Sequence, residues 1–284
     1  MLPAGVLGLV PGCERGRAPH ELLALAGGPA NRTYRVRTDR GTFVVRLHEP
    51  TSGLLGVDRV REQVLHGAAA RAGLAPPLVA ADPDGEFLIT EYVPGRHWEA
   101  ADMADASQLT TLARRLRALH ALPPPPVAAF DPALLLAVHV QRIGAADPAA
   151  AAELEPLLGR AAAVLRHCRA GDRSPCIVHN DLHHTNLLAG ERLWLLDFEY
   201  AAVTDPLFDL ACLTAYYPQA ARHAPLIIEE SGLGARVSVE LLAEAAWLYV
   251  LLSYLWYRAL RLAAPPGGAD AASERALAER LQRA

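Results

Sequence analysis

Two polar stretches joined by a short turn decide the fold of this chain: His-Asn-Asp-Leu-His-His-Thr-Asn at 179–186 and Leu-Trp-Leu-Leu-Asp-Phe-Glu at 193–199. A short apolar run at 176–178 precedes the first stretch, so we expect Asp181 and Asn186 to lie on a loop after a strand. Asp197 ends a strongly apolar strand. A turn at 190–191 would fold the segment into a hairpin, which predicts that Asn186 and Asp197 lie side by side.

These three side chains offer the groups that a phosphoryl transfer needs. A carboxylate beside an attacking hydroxyl can orient it and accept its proton. Mg²⁺ prefers oxygen ligands, one or two of them carboxylates, together with phosphate oxygens. Asp181 is therefore the candidate base, and Asn186 and Asp197 are the candidate metal ligands.

Two simpler interpretations compete with this one. His179, His183 and His184 could form a zinc cluster with Asp181, although no further ligand stands at the spacing that zinc sites usually show. Asp197 alone could be a residue that only closes a hairpin turn. The combined offsets of the three polar residues favour the catalytic interpretation.

The chain divides into a β-rich and a helical region. Short β-forming runs separated by turn signals predict strands at 21–26, 32–38, 42–47, 78–81 and 86–93. A helix with Asp58 as its N-cap is predicted to end near Ala72. After Pro94 and Gly95, apolar periodicity predicts helices at 106–122, 132–143, 149–170, from 206 to about 263, and a solvated terminal helix at 271–284. The sequence thus predicts an α+β chain with a small antiparallel-sheet lobe at 1–93 and a larger helical lobe at 94–284.

Composition excludes several classes of protein. The net charge is −4 at pH 7, which argues against an electrostatic nucleic-acid binder. All 27 basic residues are Arg, which indicates codon bias. The N-terminus lacks the pattern of a signal peptide, and the apolar stretch 245–257 is too short to span a bilayer, so a buried helix is expected there. No Cys-x-x-Cys pair occurs, so a reduced, cytoplasmic compartment is expected. The oligomeric state stays open.

The motifs resemble a known family. His179-x-Asp181 with Asn186 five residues further on, followed by Asp197, is similar to the catalytic and metal motifs of the protein-kinase-like fold. The residue sequence of both stretches resembles that of the aminoglycoside phosphotransferase and choline kinase family, and most of all that of its bacterial choline/ethanolamine and thiamine kinases. The resemblance runs from Gly27 to about Arg258. It implies a two-lobed kinase-like fold, ATP and Mg²⁺ as cofactors, Asp181 as the base, and Asn186 and Asp197 as magnesium ligands.

By the same resemblance, the first lobe would hold the nucleotide. Backbone amides of the turn that contains Gly28 and Asn31 can face phosphate oxygens. Arg46 ends a strand where this fold places a basic residue on the α- and β-phosphates. Glu62 is its expected partner, because a buried arginine needs a carboxylate; a solvated helix charge is the alternative for Glu62.

The resemblance also assigns the surroundings of the loop. Glu91 and Val93 belong to the hinge whose backbone reads the adenine edge. His179 would brace the loop through hydrogen bonds, and Asp209 would brace the loop backbone from a helix. Asp209 could equally be a first-turn carboxylate favoured by the helix dipole.

The acceptor is expected to be a small cationic alcohol such as choline, ethanolamine or thiamine. Glu199 would lie near the metal or the substrate amine. Glu244, Trp247 and Tyr254 share one face of a helix, and aromatic faces beside a carboxylate suit a quaternary ammonium or thiazolium cation. The alternative for this face is an aromatic stripe of the core.

Two other functions remain possible at this level. An antibiotic phosphotransferase of the aminoglycoside type would need a wide acidic groove instead of an aromatic cage. A non-catalytic nucleotide-binding scaffold would have no need for Asp181, Asn186 and Asp197 together.

Replacement of the candidate base tests the catalytic interpretation. Asp181→Asn keeps size and shape but loses the proton acceptor, so we expect turnover to fall roughly 10²–10⁴-fold while nucleotide binding is nearly unchanged. Steady-state kinetics and nucleotide titration check both expectations. Near-normal turnover of this variant would remove Asp181 from the role of base.

Overall fold

The computed structural model describes residues 2–25, 31–49, 57–263 and 271–283. The chain forms two compact units. The first unit comprises Met1–Trp98, Pro125–Val127 and His184–Ala202, and the second comprises Glu99–Pro124, Ala128–His183 and Val203–Ala284. The functional division into a nucleotide-binding lobe at 1–93 and an acceptor lobe at 94–284 stays a prediction.

The first unit is built on a five-stranded antiparallel sheet in the order β1-β2-β3-β5-β4. Its strands are β1 Glu21–Leu25, β2 Asn31–Thr38, β3 Gly41–His48, β4 Leu78–Ala81 and β5 Phe87–Glu91, with helix α2 Arg59–Arg71 between β3 and β4. A second, three-stranded sheet joins β6 Arg96–His97, β8 Leu187–Ala189 and β9 Leu193–Leu195. The predicted antiparallel sheet with one helix is confirmed, with strand ends shifted by one to two residues.

The chain before the sheet also belongs to the core of the first unit. A one-turn helix, α1 Ala4–Leu7, precedes β1. Leu2, Val10 and Cys13 pack with the buried residues of β2, β3 and β5. The sequence gives no signal for this element, because a helix of 4 residues is too short to show a period.

The second unit is mainly helical. Its helices are α3 Ala106–His120, α4 Pro132–Ala146, α5 Pro148–Ala152, α6 Glu155–Arg169, α7 Leu207–Tyr216, α8 Pro218–Ala221, α9 Ala224–Glu230, α10 Val239–Ala263 and α11 Ala271–Arg283. Helix α10 packs against α4, α6, α7 and α11, and α3 packs against α9. Strands β7 Cys176–Val178 and β10 Ala202–Thr204 form a two-stranded sheet.

The single helix predicted at 149–170 was wrong. The structure has two helices there, α5 and α6, that meet at Glu153 and Leu154. Pro156 lacks the N–H that would bond to the carbonyl of Ala152, so the helical ladder is interrupted at this point.

Aspartates begin four of the helices. Asp58, Asp105, Asp131 and Asp147 each accept hydrogen bonds from backbone N–H groups in the first turn of α2, α3, α4 and α5. Such caps satisfy donors that have no partner inside the helix. The prediction of Asp58 as an N-cap is confirmed.

Helix α10 is apolar over most of its length. Its 25 residues are long and apolar enough to cross a membrane, but 56% of its most apolar stretch is buried inside the protein. The core helix of a globular unit passes the same test of length and composition, so this is weak evidence for a membrane span.

The last helix, α11, is not merely a solvated end of the chain as predicted. Leu281 is buried against the rest of the second unit, and the half-exposed Arg261 of α10 pairs with the buried Glu274 of α11. Arg280 donates to the carbonyl oxygen of Ala215 at 2.6 Å. Most of the side chains of α11 are polar or alanine, so its composition alone predicts a solvated helix.

The docking of α11 can be measured. Leu281→Ala should lower the free energy of unfolding by about 2–3 kcal/mol, because it removes a buried side chain. The neighbouring exposed residue serves as the control, and Gln282→Ala should change it by less than about 0.5 kcal/mol. Urea titrations of both variants check this. Equal, small effects would mean that α11 is frayed in solution.

Candidate active site

The hairpin between the two polar stretches is present in the first unit. Strands β8 and β9 pair antiparallel, and the N–H of Leu196 donates to the carbonyl oxygen of Asn186 at 2.8 Å. Leu196 is therefore bonded to Asn186, and Asp197 is the next residue in the chain. The predicted juxtaposition of Asn186 and Asp197 is confirmed at the level of the backbone.

A left-handed backbone conformation turns the chain at Asp197, where φ is +59°. Asp is one of the few residues that tolerate this region. The next residue, Phe198, is fully buried and meets the ring of His66 edge-on at 5.5 Å. The buried Phe198 anchors the turn, while the carboxylate of Asp197 stays partly open to solvent.

Arg46 on β3 lies between two carboxylates. Its guanidinium donates to Glu62 on α2 and to Asp197. The predicted contact with Glu62 is confirmed, whereas the contact with Asp197 was not predicted. Glu62 is 0% exposed, so its charge requires a cation at this place.

A second guanidinium, which was not among the predicted site residues, contacts the other carboxylate oxygen of Glu62. Arg59 donates to Glu62 at 2.7 Å, to Glu199 at 3.1 Å and to the side-chain oxygen of Asn31 at 3.0 Å. Asn31 in turn donates to Glu199 at 3.3 Å. The three-residue spacing between Arg59 and Glu62 on one helix is a signal that could have pointed to this pair.

The charged groups around Glu199 shift its pKa in both directions. Burial and the charge of Asp197 raise the pKa of Glu199 above its ordinary value, while Arg46, Arg59 and the hydrogen bond from Asn31 act in the opposite direction. Nearby, burial and the charge of Arg46 lower the pKa of His48 to about 4, so this imidazole is neutral at pH 7.

The donor set at the hairpin fits magnesium. An amide and a partly exposed carboxylate on neighbouring ends of one hairpin are oxygen ligands of the kind that Mg²⁺ prefers. Among the residues that the structure describes, no group of three or more His, Cys, Asp or Glu side chains lies close enough together to hold a metal ion. The roles of Asn186 and Asp197 as magnesium ligands stay predictions.

The remaining nucleotide-binding predictions concern Gly28 and residues at or just beyond the end of β5. Glu91 is the exposed last residue of β5, and Val93 lies in the irregular segment after it. Gly95 approaches the backbone so closely that a Cβ there would lie 2.5 Å from the carbonyl oxygen of Ala189. Gly28 lies outside the described residues. The binding roles of these residues stay predictions.

In the second unit, a buried carboxylate holds the loop that carries Asp181. Asp209 on α7 is 0% exposed and accepts from the backbone N–H groups of His179 at 2.9 Å and Asn180 at 2.8 Å, and from the ring of His120 at 2.8 Å. The ring of His179 accepts from the N–H of Asp181 at 3.3 Å. The predicted bracing contacts of Asp209 and His179 are therefore confirmed.

Two tyrosines reach this loop. Tyr216 at the end of α7 donates its hydroxyl to the carboxylate of Asp181 at 3.2 Å, and Tyr249 of α10 donates to the carbonyl oxygen of Asn180 at 2.6 Å. Their rings meet edge-on at 5.7 Å. Tyr216 also contacts His183 and Tyr217, so aromatic rings cluster beside the candidate base.

Burial shapes the acidity of this cluster. Desolvation and the charge of Asp181 raise the pKa of Tyr216 well above its ordinary value, although 38% of the residue surface is open to solvent. Burial likewise raises the pKa of Tyr249. Both hydroxyls are therefore neutral donors at physiological pH.

The predicted acceptor face of α10 makes different contacts. Trp247 and Tyr254 are 5% and 6% exposed, with the guanidinium of Arg160 lying 4.1 Å from the centre of the Trp247 ring and Arg258 bonded to the hydroxyl of Tyr254. Glu244 pairs with His167 on α6. These contacts favour the core interpretation of the face. A role for Glu244, Trp247 and Tyr254 in acceptor binding stays an untested prediction.

The positions of Trp247 and Tyr249 on α10 explain why Tyr249, and not Trp247, contacts the loop of Asp181. Tyr249 lies two residues beyond Trp247 on α10, about 200° around the helix axis. The side of α10 that meets the loop of Asp181 is therefore the one that carries Tyr249.

The sequence matches the phosphotransferase enzyme family over residues 21–248. The chain therefore belongs to this family, and the expectation of an enzyme that phosphorylates a hydroxyl group is confirmed. No protein of curated function matches the sequence.

Solved structures show the same fold. A choline/ethanolamine kinase family protein from Mesorhizobium loti is 20% identical with a TM-score of 0.76, covering 99% of this chain and 92% of that chain. The choline kinase LicA from Streptococcus pneumoniae is 17% identical with a TM-score of 0.77, covering 94% and 93%. APH(2'')-IIa in a complex with streptomycin and ATP is 16% identical with a TM-score of 0.60, covering 94% and 92%. The predicted kinase-like α+β fold is confirmed.

Charge coupling at Arg46 gives a kinetic prediction. Arg46→Ala should raise the nucleotide KM roughly 10–100-fold and lower kcat, because a charged hydrogen-bond donor is lost. Glu62→Gln should do the same more mildly, since Arg46 keeps its charge but loses its orientation. The two effects should not add in the double variant.

The exposed Glu86 of the same unit provides the control, and Glu86→Gln should leave both constants unchanged. Initial rates over a range of nucleotide concentrations give KM and kcat for each variant. Additive effects of the first two changes would show that Arg46 and Glu62 act independently.

Proposed function

We propose that this phosphotransferase moves the γ-phosphoryl group of Mg·ATP to the hydroxyl group of a small cationic alcohol of the choline, ethanolamine or thiamine type. The observation that carries the proposal is the hydrogen bond from the partly exposed Tyr216 to the candidate base Asp181, within a cluster of aromatic rings. A base and aromatic faces at one place suit an alcohol that also carries a positive charge.

Asp181 takes the proton of the acceptor hydroxyl in the proposed reaction. The hydroxyl oxygen forms a bond to the γ-phosphorus as the bond from that phosphorus to the bridging oxygen of ADP breaks. The proton moves to the carboxylate of Asp181, and ADP leaves with the electron pair of the broken bond. Tyr216 donates its hydroxyl to one oxygen of this carboxylate and so orients it.

Contacts within the first unit support a nucleotide site there. Arg46 would contact phosphate oxygens, with Glu62 orienting it. Asn186 and Asp197 would hold Mg²⁺, which neutralises phosphate charge when bound. Gly28, Glu91 and Val93 would supply backbone groups to the phosphates and the adenine. The ATP in the APH(2'')-IIa complex is consistent with ATP as the donor.

Aromatic chemistry supports a cationic acceptor. A cation over an aromatic ring gains about 0.5–1 kcal/mol at an exposed site and about 2 kcal/mol when desolvated. Tyr216, Tyr217 and His183 present rings to one another within 5.9–6.3 Å beside Asp181. The structural neighbours named as choline or ethanolamine kinases are consistent with this class of acceptor.

A reduced, cytoplasmic setting is part of the proposal. The four cysteines Cys13, Cys168, Cys176 and Cys212 are all free and buried. Burial raises the pKa of Cys168 to about 11 and of Cys176 to about 12, so these thiols are poor nucleophiles.

An acceptor panel tests the proposed function. Choline, ethanolamine, thiamine, streptomycin and a neutral alcohol of similar shape to choline, 3,3-dimethyl-1-butanol, are each incubated with the enzyme, MgCl₂ and ATP. Formation of the phosphorylated acceptor is measured directly by mass spectrometry. We expect transfer to at least one of the first three and little to the neutral alcohol. Transfer to streptomycin alone would establish the aminoglycoside type instead, and no transfer to any of the five would contradict the proposal.

Two leucine variants locate the cation within the second unit. Tyr216→Leu removes the ring and the hydroxyl beside Asp181, so we expect the KM for the cationic acceptor to rise about 5- to 30-fold, with the nucleotide KM unchanged. Trp247→Leu should lower the melting temperature and leave the acceptor KM alone, because Trp247 is buried under Arg160. The reverse pattern would restore the Trp247 face as the acceptor site.

The Tyr216 hydroxyl can be separated from its ring. Tyr216→Phe keeps the ring, so the acceptor KM should stay near its normal value while kcat falls about 5-fold through loss of one hydrogen bond to the base. A rise in acceptor KM without a fall in kcat would show that the hydroxyl contacts the acceptor and not Asp181.

A further inference from the structure

A buried guanidinium outside the predicted site joins three segments of the first unit. Arg59 is 8% exposed and is the first residue of α2. It contacts Glu62 one turn along its own helix, Glu199 two residues after Asp197, and Asn31 at the start of β2. The contacts of this one side chain therefore connect α2, the turn after β9 and the start of β2.

These hydrogen bonds close a ring. One terminal nitrogen of Arg59 donates to both Glu62 and Glu199, and the other donates to the side-chain oxygen of Asn31. The amide nitrogen of Asn31 donates to the same Glu199 oxygen at 3.3 Å. A planar guanidinium can serve three acceptors in fixed directions, which a lysine ammonium on a flexible stem cannot do.

The charges form an alternating chain. Asp197, Arg46, Glu62, Arg59 and Glu199 follow one another as neighbours of opposite sign. Both ends of the chain lie in the turn after β9, and its middle, the fully buried Glu62, lies on α2. Without Arg59, Glu199 would lose its cation and Glu62 would face Arg46 alone, free to turn both oxygens toward it.

We propose that Arg59 is a positioning residue for Mg·ATP. It holds one oxygen of Glu62 and so leaves the other for Arg46, and it fixes Glu199 and Asn31, which ties the turn of Asp197 to the start of β2. Arg59 acts through these residues and does not touch the substrate. The inference rests on the proposed nucleotide-binding roles of Arg46 and Asp197.

The binding of Mg·ATP to the full chain tests this role without an acceptor. Arg59→Lys keeps the positive charge, so the buried carboxylates stay paired and the protein should fold. It loses the planar guanidinium, whose nitrogens donate in fixed directions. We expect the Kd for Mg·ATP, measured by calorimetry, to rise about 10-fold. The exposed arginine at the other end of the same helix is the matched control, and Arg71→Lys should leave the Kd unchanged.

Kinetics separate positioning from a structural role. In Arg59→Lys the KM for Mg·ATP should rise with the Kd, while the acceptor KM stays within about 2-fold of normal. A lower melting temperature with normal Kd and normal kinetic constants would show that Arg59 is only a structural ion pair and would overturn the proposal. Equal increases in the KM for Mg·ATP and for the acceptor would also overturn it.

A second pair of variants keeps the test decisive if Arg59→Lys does not fold. Arg59→Gln combined with Glu199→Gln removes one buried charge of each sign, and the two changes together should raise the Kd for Mg·ATP by less than the product of their separate effects. If the double variant raised the Kd by the full product of the two separate increases, the proposed coupling would be contradicted. Normal Mg·ATP binding by the unaltered chain, with no transfer to any acceptor, would contradict the proposed function and leave the inference about Arg59 to be judged by these Kd values.

Discussion

The buried carboxylate of Glu62 is the constraint on which the first unit depends. A carboxylate without access to water is stable only beside cations, and Arg46 and Arg59 approach it from two sides. Because Arg46 lies on β3 and Glu62 and Arg59 on α2, this one charge sets where the helix lies against the sheet. The same arginines reach Asp197 and Glu199, so the turn after β9 is placed by the same requirement.

In the second unit, the buried carboxylate of Asp209 positions neighbouring segments as Glu62 does in the first. It is also a fully buried carboxylate, but its partners are two backbone N–H groups and the ring of His120 instead of guanidinium groups. Backbone amides give a carboxylate fixed directions, so Asp209 determines the path of the loop that carries Asp181. Asn180 in this loop and Asp197 in the other both have positive φ values, which buried anchors of this kind can hold in place.

The family fold does not by itself determine the acceptor. Proteins named as choline kinases and as aminoglycoside phosphotransferases share this fold with the chain at 16–20% identity, so the fold by itself does not select the acceptor. Around Asp181 the chain places tyrosines and a histidine. The faces of the tyrosine rings attract cations, and the neutral tyrosine hydroxyl groups donate hydrogen bonds. In the proposed function, the acceptor class would therefore be set by side chains of α7 and α10 and not by the sheet.

The sequence by itself determined the strands of the sheet, most of the helices and the hairpin that brings Asn186 to Asp197, because these follow from local periodicity and turn signals. The contact of Arg46 with Glu62 and the contact of Asp209 with the loop of His179 were expected from the resemblance of the motifs to a known family. The sequence did not reveal the docking of α11, the packing of Leu2 and Val10 under the sheet, or the contacts of Arg59 with Asn31 and Glu199. Helical periodicity shows which residues share a face but not which element covers that face. Only the tertiary structure decided that Tyr249 and not Trp247 meets the loop of Asp181, because that depends on how α10 is rotated against α6 and α7.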